Sequence, residues 1–272
     1  MSIESLHEIV AHYRDGREAE RLFVGPGVLE RVRTEQIISR YLVPPPARIL
    51  DVGGGPGTYA SWLLREGYQV ELVDPVPTHV EEAARRFREY EPRGSATLGD
   101  ARRLESADQR YDCVLLLGPL YHLTDRSDRI QALAETRRVL RPGGCAFVAA
   151  ISRFASLLDG FARNLTRDPV FVTILDRDLT DGQHRNRENA DYFTTAFLHR
   201  PEELTDEIRA AGLELEALLG VEGPFWFMTG FAELWENSET RDLMLEMLRR
   251  VESEPSLLGA SAHWLAVVRR RE

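Results

Sequence analysis

At 272 residues, with 43% hydrophobic and 29% charged residues, the chain is long enough for one large α/β domain with a cap, and its composition argues against long disordered stretches. A formal net charge of −10 argues against nucleic acid as a partner, because binding a phosphate backbone draws on clustered Lys and Arg. The basic residues form no run except Arg269, Arg270 and Arg271, which reads as a solvated strand end.

The N-terminal stretch MSIESLHEIVAHYRDGREAE has no basic segment leading into an apolar one, and no apolar run approaches the length of a membrane span. The expectation is a cytoplasmic protein with no membrane partner. Cys113 and Cys145 each fall inside an apolar run and read as small core residues, with no second Cys or His at metal-ligand spacing.

Residues 1–45 place apolar side chains at helical spacing (Ile9, Tyr13; Leu29, Val32, Ile37, Ile38, Leu42) and stop at Pro44, Pro45 and Pro46, which predicts a helical preface. From Ala47 short apolar strands alternate with helices. They are RILDVG, a helix near 58–66, QVELVD, a helix near 78–90, ATLGD, YDCVLLLG, a helix near 128–140, and GCAFVAAIS. Almost wholly apolar strands alternating with helices imply a parallel sheet covered on both faces. Residues 153–200 break this rhythm with few strand signals and the cluster NRENADYFTTAFLHR, as an active-site lid or substrate cap does. PEELTDEIRAAG resumes the alternation, followed by a strand near 213–221, a helix near 238–251 and the last strand HWLAVVRR. The expected organisation is a single domain, with a helical segment 1–45, a core made of 46–152 and 201–272, and a cap insertion 153–200.

The string LDVGGGPGTYASWL sets Asp51 at a strand end and packs Gly53, Gly54, Gly55 and Gly57 into the turn before a helix, where the backbone can approach a ligand closely. Gly55, Gly57 and Ala60 also fit a GxGxxA spacing, so a dinucleotide site is a competing reading. Asp74 closes the second strand, where a carboxylate accepts from ribose hydroxyls in either reading. Asp100, after the third strand, can accept from an adenine amino group. Asp51 beside the loop suits an ammonium and would repel a pyrophosphate. Each aspartate alone is equally a helix cap or turn residue. Three at consecutive strand ends on one sheet edge favour a nucleoside ligand.

The segments ILDVGGGPG, LVDP, GDARRL, YDCVLLLGPLYHL and VLRPGG, within residues 47–151, resemble the class I S-adenosylmethionine-dependent methyltransferases; the preface and cap resemble them more loosely. The resemblance implies a Rossmann-like, doubly wound, mostly parallel seven-stranded α/β sheet of order 3-2-1-4-5-7-6 with the last strand antiparallel. It implies S-adenosyl-L-methionine as cofactor and S-adenosyl-L-homocysteine as product. Asp51, Gly53 and Gly55 would line the methionine end, Asp74 with Pro75 the ribose, Asp100 and Ala101 the adenine, and Leu117 the backbone beside the sulfonium. The preface would fold over the cofactor as a lid. There Tyr13 either lies against the sulfonium or methionine carboxylate or anchors its helix, and Arg33 either pairs with that carboxylate or is an exposed helix arginine.

For the acceptor, Tyr121 and His122 follow the fourth strand, where His122 can take a proton or simply cap the turn. Tyr192, Phe193, Phe197 and His199 in the cap, and Trp226 in the cluster Phe225, Trp226, Phe227, suit a flat or cationic acceptor and equally suit packing. His184 reads as solvated. The implied function is methyl transfer to N, O or C of a small molecule by a monomer or homodimer. Its rivals are a nicotinamide-dependent oxidoreductase and a non-catalytic protein that retains the cofactor pocket. A protein or nucleic-acid substrate is disfavoured by the acidic charge, the cap, and the absence of an Asn-Pro-Pro-aromatic motif where GPLYHL stands.

Overall fold

The computed structural model describes residues 18–186 and 192–271. Seven strands form the main sheet: β1 (Arg48–Val52), β2 (Gln69–Asp74), β3 (Gly94–Leu98), β4 (Tyr111–Leu116), β5 (Leu140–Ile151), and, after the small antiparallel pair β6 (Gln183–His184) and β7 (Ala196–Phe197), β8 (Glu214–Gly220) and β9 (His263–Arg269). Their order is β3-β2-β1-β4-β5-β9-β8. The neighbours among β1 to β5 pair in parallel, and β9 runs antiparallel to both β5 and β8. With β8 and β9 counted as sixth and seventh, this is the strand order that the resemblance implies.

Alternation along the strands sends side chains to two separate cores. Ile49, Cys113, Leu115 and Phe147 face one side, where Ile37, Leu63, Leu64 and Phe87 bring in the helices Gly27–Tyr41, Thr58–Arg65 and Pro77–Phe87. Leu50, Val114, Leu116 and Val148 face the other, against Leu133 of the helix Arg126–Val139 and Leu204 and Ile208 of the helix Pro201–Ala210. Because every central strand is buried on both faces, nothing but its ends reaches solvent. Ligand chemistry is therefore confined to the carboxyl edge of the parallel strands.

β9 adds to that edge from the opposite direction. Running antiparallel, it puts its first residue, His263, beside Ile151 at the carboxyl end of β5. Between β5 and the helix Pro201–Ala210 lie the helices Ala155–Ala162 and Pro169–Asp181 and the β6–β7 pair. This segment returns to the sheet at a parallel bridge between Ser152 and His199, with Arg153 N–H donating to the His199 carbonyl at 2.7 Å and His199 N–H to the Ile151 carbonyl at 2.8 Å. Among the described residues, no helix is long and apolar enough to cross a membrane.

Candidate active site

A single cavity gathers the ends of β1, β2 and β4. Asp51, Gly53, Gly55, Asp74, Pro75, Asp100, Ala101, Leu117, Tyr121 and His122 all line it. Its empty space, counting the open mouth, is about 1330 Å³. Ligand pockets commonly measure roughly 300–1,000 Å³, so a cavity of this kind can admit a nucleoside-bearing ligand.

The glycine turn is shaped by what surrounds it. Gly53 has a φ of 69°, a left-handed conformation that costs a side-chain-bearing residue, and a Cβ there would lie 2.7 Å from the Pro119 ring. A Cβ on Gly54 would meet Asp51 Oδ2 at 2.5 Å. Without side chains, the turn folds directly over the Asp51 carboxylate.

Asp51 is 1% exposed, and among the described residues neither of its carboxylate oxygens has a hydrogen-bond partner. Burial, reinforced by the nearby charge of Asp74, pushes its pKa up to about 7. Asp74 is occupied: Oδ1 accepts from Val76 N–H at 2.9 Å and lies 3.2 Å from His79 Nδ1, while Oδ2 accepts from Gly55 N–H at 2.9 Å. The glycine turn and the end of β2 are thereby joined, and lone pairs remain on Oδ2 for a ligand. Asp100 is gripped by Arg102, whose backbone N–H and guanidinium reach both of its oxygens, and Arg102 also binds Asp128 at 3.0 Å. Burial opposes ionisation of Asp100, but these Arg102 contacts hold its pKa below the ordinary carboxylate value.

Other expected site residues lie elsewhere. Arg33 is neither exposed nor at the cavity. It is fully buried, donating from Nε to the Val221 carbonyl at 3.2 Å and from Nη2 to Glu252, a partner 219 residues away that local spacing cannot reveal. Tyr13 lies outside the described residues. Of the five residues expected to meet the acceptor, none lines the cavity. Tyr192 donates to Asp168 Oδ2 at 2.6 Å and packs on Phe171. Phe197 lies under the Arg129 guanidinium, 3.6 Å from its ring centroid. His199 is completely buried against Glu207, and Trp226 Nε1 donates to the Ala260 carbonyl. Phe193 lies beside two lining residues, with its ring 6.0 Å from that of His122 and 6.3 Å from that of Tyr121. His184 is not solvated: Nδ1 meets Asp178 at 2.8 Å and Nε2 the Phe193 carbonyl at 3.1 Å.

The cavity also has a wall that no motif marks. Arg21, Glu30 and Thr34 from the N-terminal helices, Tyr59 from the helix after the glycine turn, His79 beside Asp74, and His263 at the start of β9 all line it. Two signals for this wall do exist in the sequence. Glu30 and Thr34 are four apart and share a helix face, and an antiparallel final strand must begin at the ligand edge.

Residues 49–144 match a family model described as a methyltransferase domain. The chain is similar to the methyltransferase GfsG of Streptomyces halstedii, 37% identical over 121 residues covering 43% of this chain; it spans only 42% of that relative's length. It is 30% identical over 195 residues to a ubiquinone biosynthesis O-methyltransferase of Xanthomonas axonopodis pv. citri, covering 71% of this chain and 73% of the relative. Its fold is similar to that of a Burkholderia thailandensis 1,6-didemethyltoxoflavin-N1-methyltransferase solved with 1,6-didemethyltoxoflavin and S-adenosylhomocysteine, with a TM-score of 0.59, 17% identity and coverage of 98% of this chain and 87% of that one. The sheet order, the glycine turn over a buried aspartate, and a relative matched over most of both chains agree: the chain belongs to the class I S-adenosylmethionine-dependent methyltransferases.

Proposed function

We propose that this chain binds S-adenosylmethionine along β1, β2 and β4 and transfers its methyl group to a small molecule held in the rest of the same cavity. The observation that carries this reading is Asp51, a buried carboxylate with two unpartnered oxygens beneath a glycine turn. Burying a carboxylate without donors is costly, so the site is built for a ligand that brings a cationic donor there, which the methionine ammonium does. The donor set fits the cofactor at a second place, since Asp74 keeps lone pairs for ribose hydroxyls while Gly55 N–H holds it in position.

When bound, the cofactor supplies a methyl carbon already activated by its sulfonium. What remains for the protein is to orient the acceptor and exclude water. Asp51, Gly53 and Gly55 would hold the methionine end, Asp74 and Pro75 the ribose, and Leu117 the chain beside the sulfonium. Ala101 offers the base an apolar flank. Asp100, its side chain 41% exposed, would keep acceptor capacity for an adenine amino group beside its Arg102 contacts. Tyr121 and His122, on the short turn Pro119–His122 after β4, would guide the acceptor, with Phe193 behind them. The relative named for ubiquinone biosynthesis supports oxygen as the methylated atom.

Asp74→Ala is expected to abolish calorimetrically measurable binding of S-adenosylhomocysteine. Unchanged affinity removes the ribose assignment.

A further inference from the structure

The cavity wall includes an imidazole arranged as an acid–base group. His263 lines the cavity with its side chain 23% exposed. Its Nδ1 lies 2.6 Å from Glu222 Oε1. Glu222 is buried behind it, with Oε2 accepting from Ser261 Oγ at 2.9 Å and from the His263 backbone N–H at 3.0 Å. The carboxylate therefore cannot turn away, and it fixes the proton on Nδ1. Glu30, whose Oε2 lies 3.8 Å from the same Nδ1, is held from the far side by the Arg21 guanidinium. The other ring nitrogen, Nε2, has no hydrogen-bond partner among the described residues. A carboxylate that orients one imidazole nitrogen, on a ring that lines a cavity, is the arrangement that acid–base histidines require.

We propose that His263 is the acid–base residue for the acceptor, oriented by Glu222, and that the acceptor presents an ionisable hydroxyl of the phenol or enol type to Nε2. This inference rests on the methyl-transfer reading above. In the step, the resting imidazolium first gives its Nε2 proton to water; the acceptor O–H bond then breaks and its proton passes to the vacated Nε2. The freed oxygen pair forms the O–CH₃ bond as the carbon–sulfur bond breaks and leaves its own bonding pair on sulfur, and the imidazolium releases its proton to water before the next turnover.

The charges around the ring favour this hydroxyl class. Burial alone would lower the His263 pKa and Arg21 opposes protonation, but Glu30 and Glu222 outweigh both and raise it to about 9. That lies close to a phenol, whose pKa is about 10, so the phenol–imidazole and phenolate–imidazolium pairs are near balance. An acceptor arriving as an ammonium would be repelled by the resting imidazolium and by the Arg21 guanidinium paired with Glu30, whereas a phenolate is attracted to both. Ligand atoms of Glu30, Glu222 and His263 also lie within 4.8 Å of one another, a spacing that a metal ion can use. The short Nδ1 to Glu222 hydrogen bond and the guanidinium on Glu30 favour a proton there, and the test separates the two.

Two measurements on the full chain, saturated with S-adenosylhomocysteine, decide the matter without turnover. In ¹⁵N-histidine NMR, the His263 ring is expected to titrate near pH 9, and Glu222→Gln to bring its midpoint at least one pH unit lower. With 4-nitrophenol as probe, the wild type is expected to hold the yellow phenolate at a pH where it is largely protonated in free solution, and His263→Gln to weaken phenolate binding at least tenfold. An ordinary His263 titration that ignores Glu222→Gln, equal phenolate affinity in His263→Gln, no phenolate binding by the wild type, or binding that appears only with added Mn²⁺ each overturns the proposal. Calorimetry of S-adenosylhomocysteine in the same samples reports the cofactor reading separately and shows that each variant is folded.

Discussion

Asp51 holds its proton near neutrality because its surroundings give a negative charge no compensation. A ligand ammonium can pair only with the ionised form. S-adenosylhomocysteine affinity should therefore rise with pH by up to about tenfold per unit below pH 7 and level off above it. Calorimetry in buffers of different ionisation enthalpy should show proton release on binding near pH 6, and Asp51→Asn should flatten the profile at reduced affinity. A wild-type affinity independent of pH between 5.5 and 7.5 would exclude Asp51 as the ammonium partner. The same shift affects folding. The unfolded chain loses this proton near its ordinary value of 3.8, so the ligand-free protein loses stability as pH rises from there to about 7. At this scale the sequence is legible wherever a residue's role follows from its own strand: Asp51 and Asp74 each sit on the last turns of a strand that its pattern predicts. Arg33 and His184 are illegible because their roles depend on Glu252 and Asp178, carboxylates whose approach only the fold determines.

The helix Gly27–Tyr41 brings Glu30 and Thr34 to the cavity, and its attachment depends on one charged cluster. Arg33 and Arg40 both bind Glu252, which follows the helix Ser238–Val251. Removing one partner of a buried ion pair leaves an uncompensated charge and costs about 3–5 kcal/mol. Glu252→Ala should lower the unfolding free energy measured by denaturant titration by that order, and it should weaken ligand binding in the cavity through the displaced Glu30 and Thr34. A loss below about 1 kcal/mol would mean that the cluster does not hold the helix. Elements were the most legible level of this chain, since an apolar run bounded by polar turns has few alternatives. Less legible was which elements converge. The aromatic residues of 192–199 look like a binding surface in one dimension, yet Tyr192 packs within its own helical segment and Phe197 supports Arg129. The cavity wall that no motif marks comes instead from Glu30 in the first turn of its helix and His263 at the start of β9.

At the scale of the whole molecule, one buried node joins the segment after β5 to the core. Arg129 of the helix Arg126–Val139 binds Glu207 of the helix Pro201–Ala210 through Nε and Nη2 and reaches the Leu123 and Thr124 carbonyls through Nη1. His199 Nε2 meets the same Glu207 at 3.2 Å, and His199 Nδ1 is buried with no partner among the described residues. Burial holds the His199 pKa below 6.5; Glu207 pulls the other way, and Arg129 adds to the lowering. The unfolded chain thus takes up a proton that the folded one refuses, so stability falls as pH drops through 6.5. Burial raises the Glu207 pKa, but its partners His199 and Arg129 bring it below 4.5, so its contribution is lost only in stronger acid. His263, raised to about 9, contributes fully below 6.5 and declines only at higher pH. Asp51 changes in the opposite sense across the same acid range, so the node is best read in the Asp51→Asn background. There, urea midpoints should decline between pH 6.5 and 5. Adding His199→Gln should lower stability at pH 7.5, because the buried site is disturbed, while reducing the acid slope. An unchanged slope would show that the node does not titrate, and that the joint between the segment and the core depends on Arg129 and Glu207 alone.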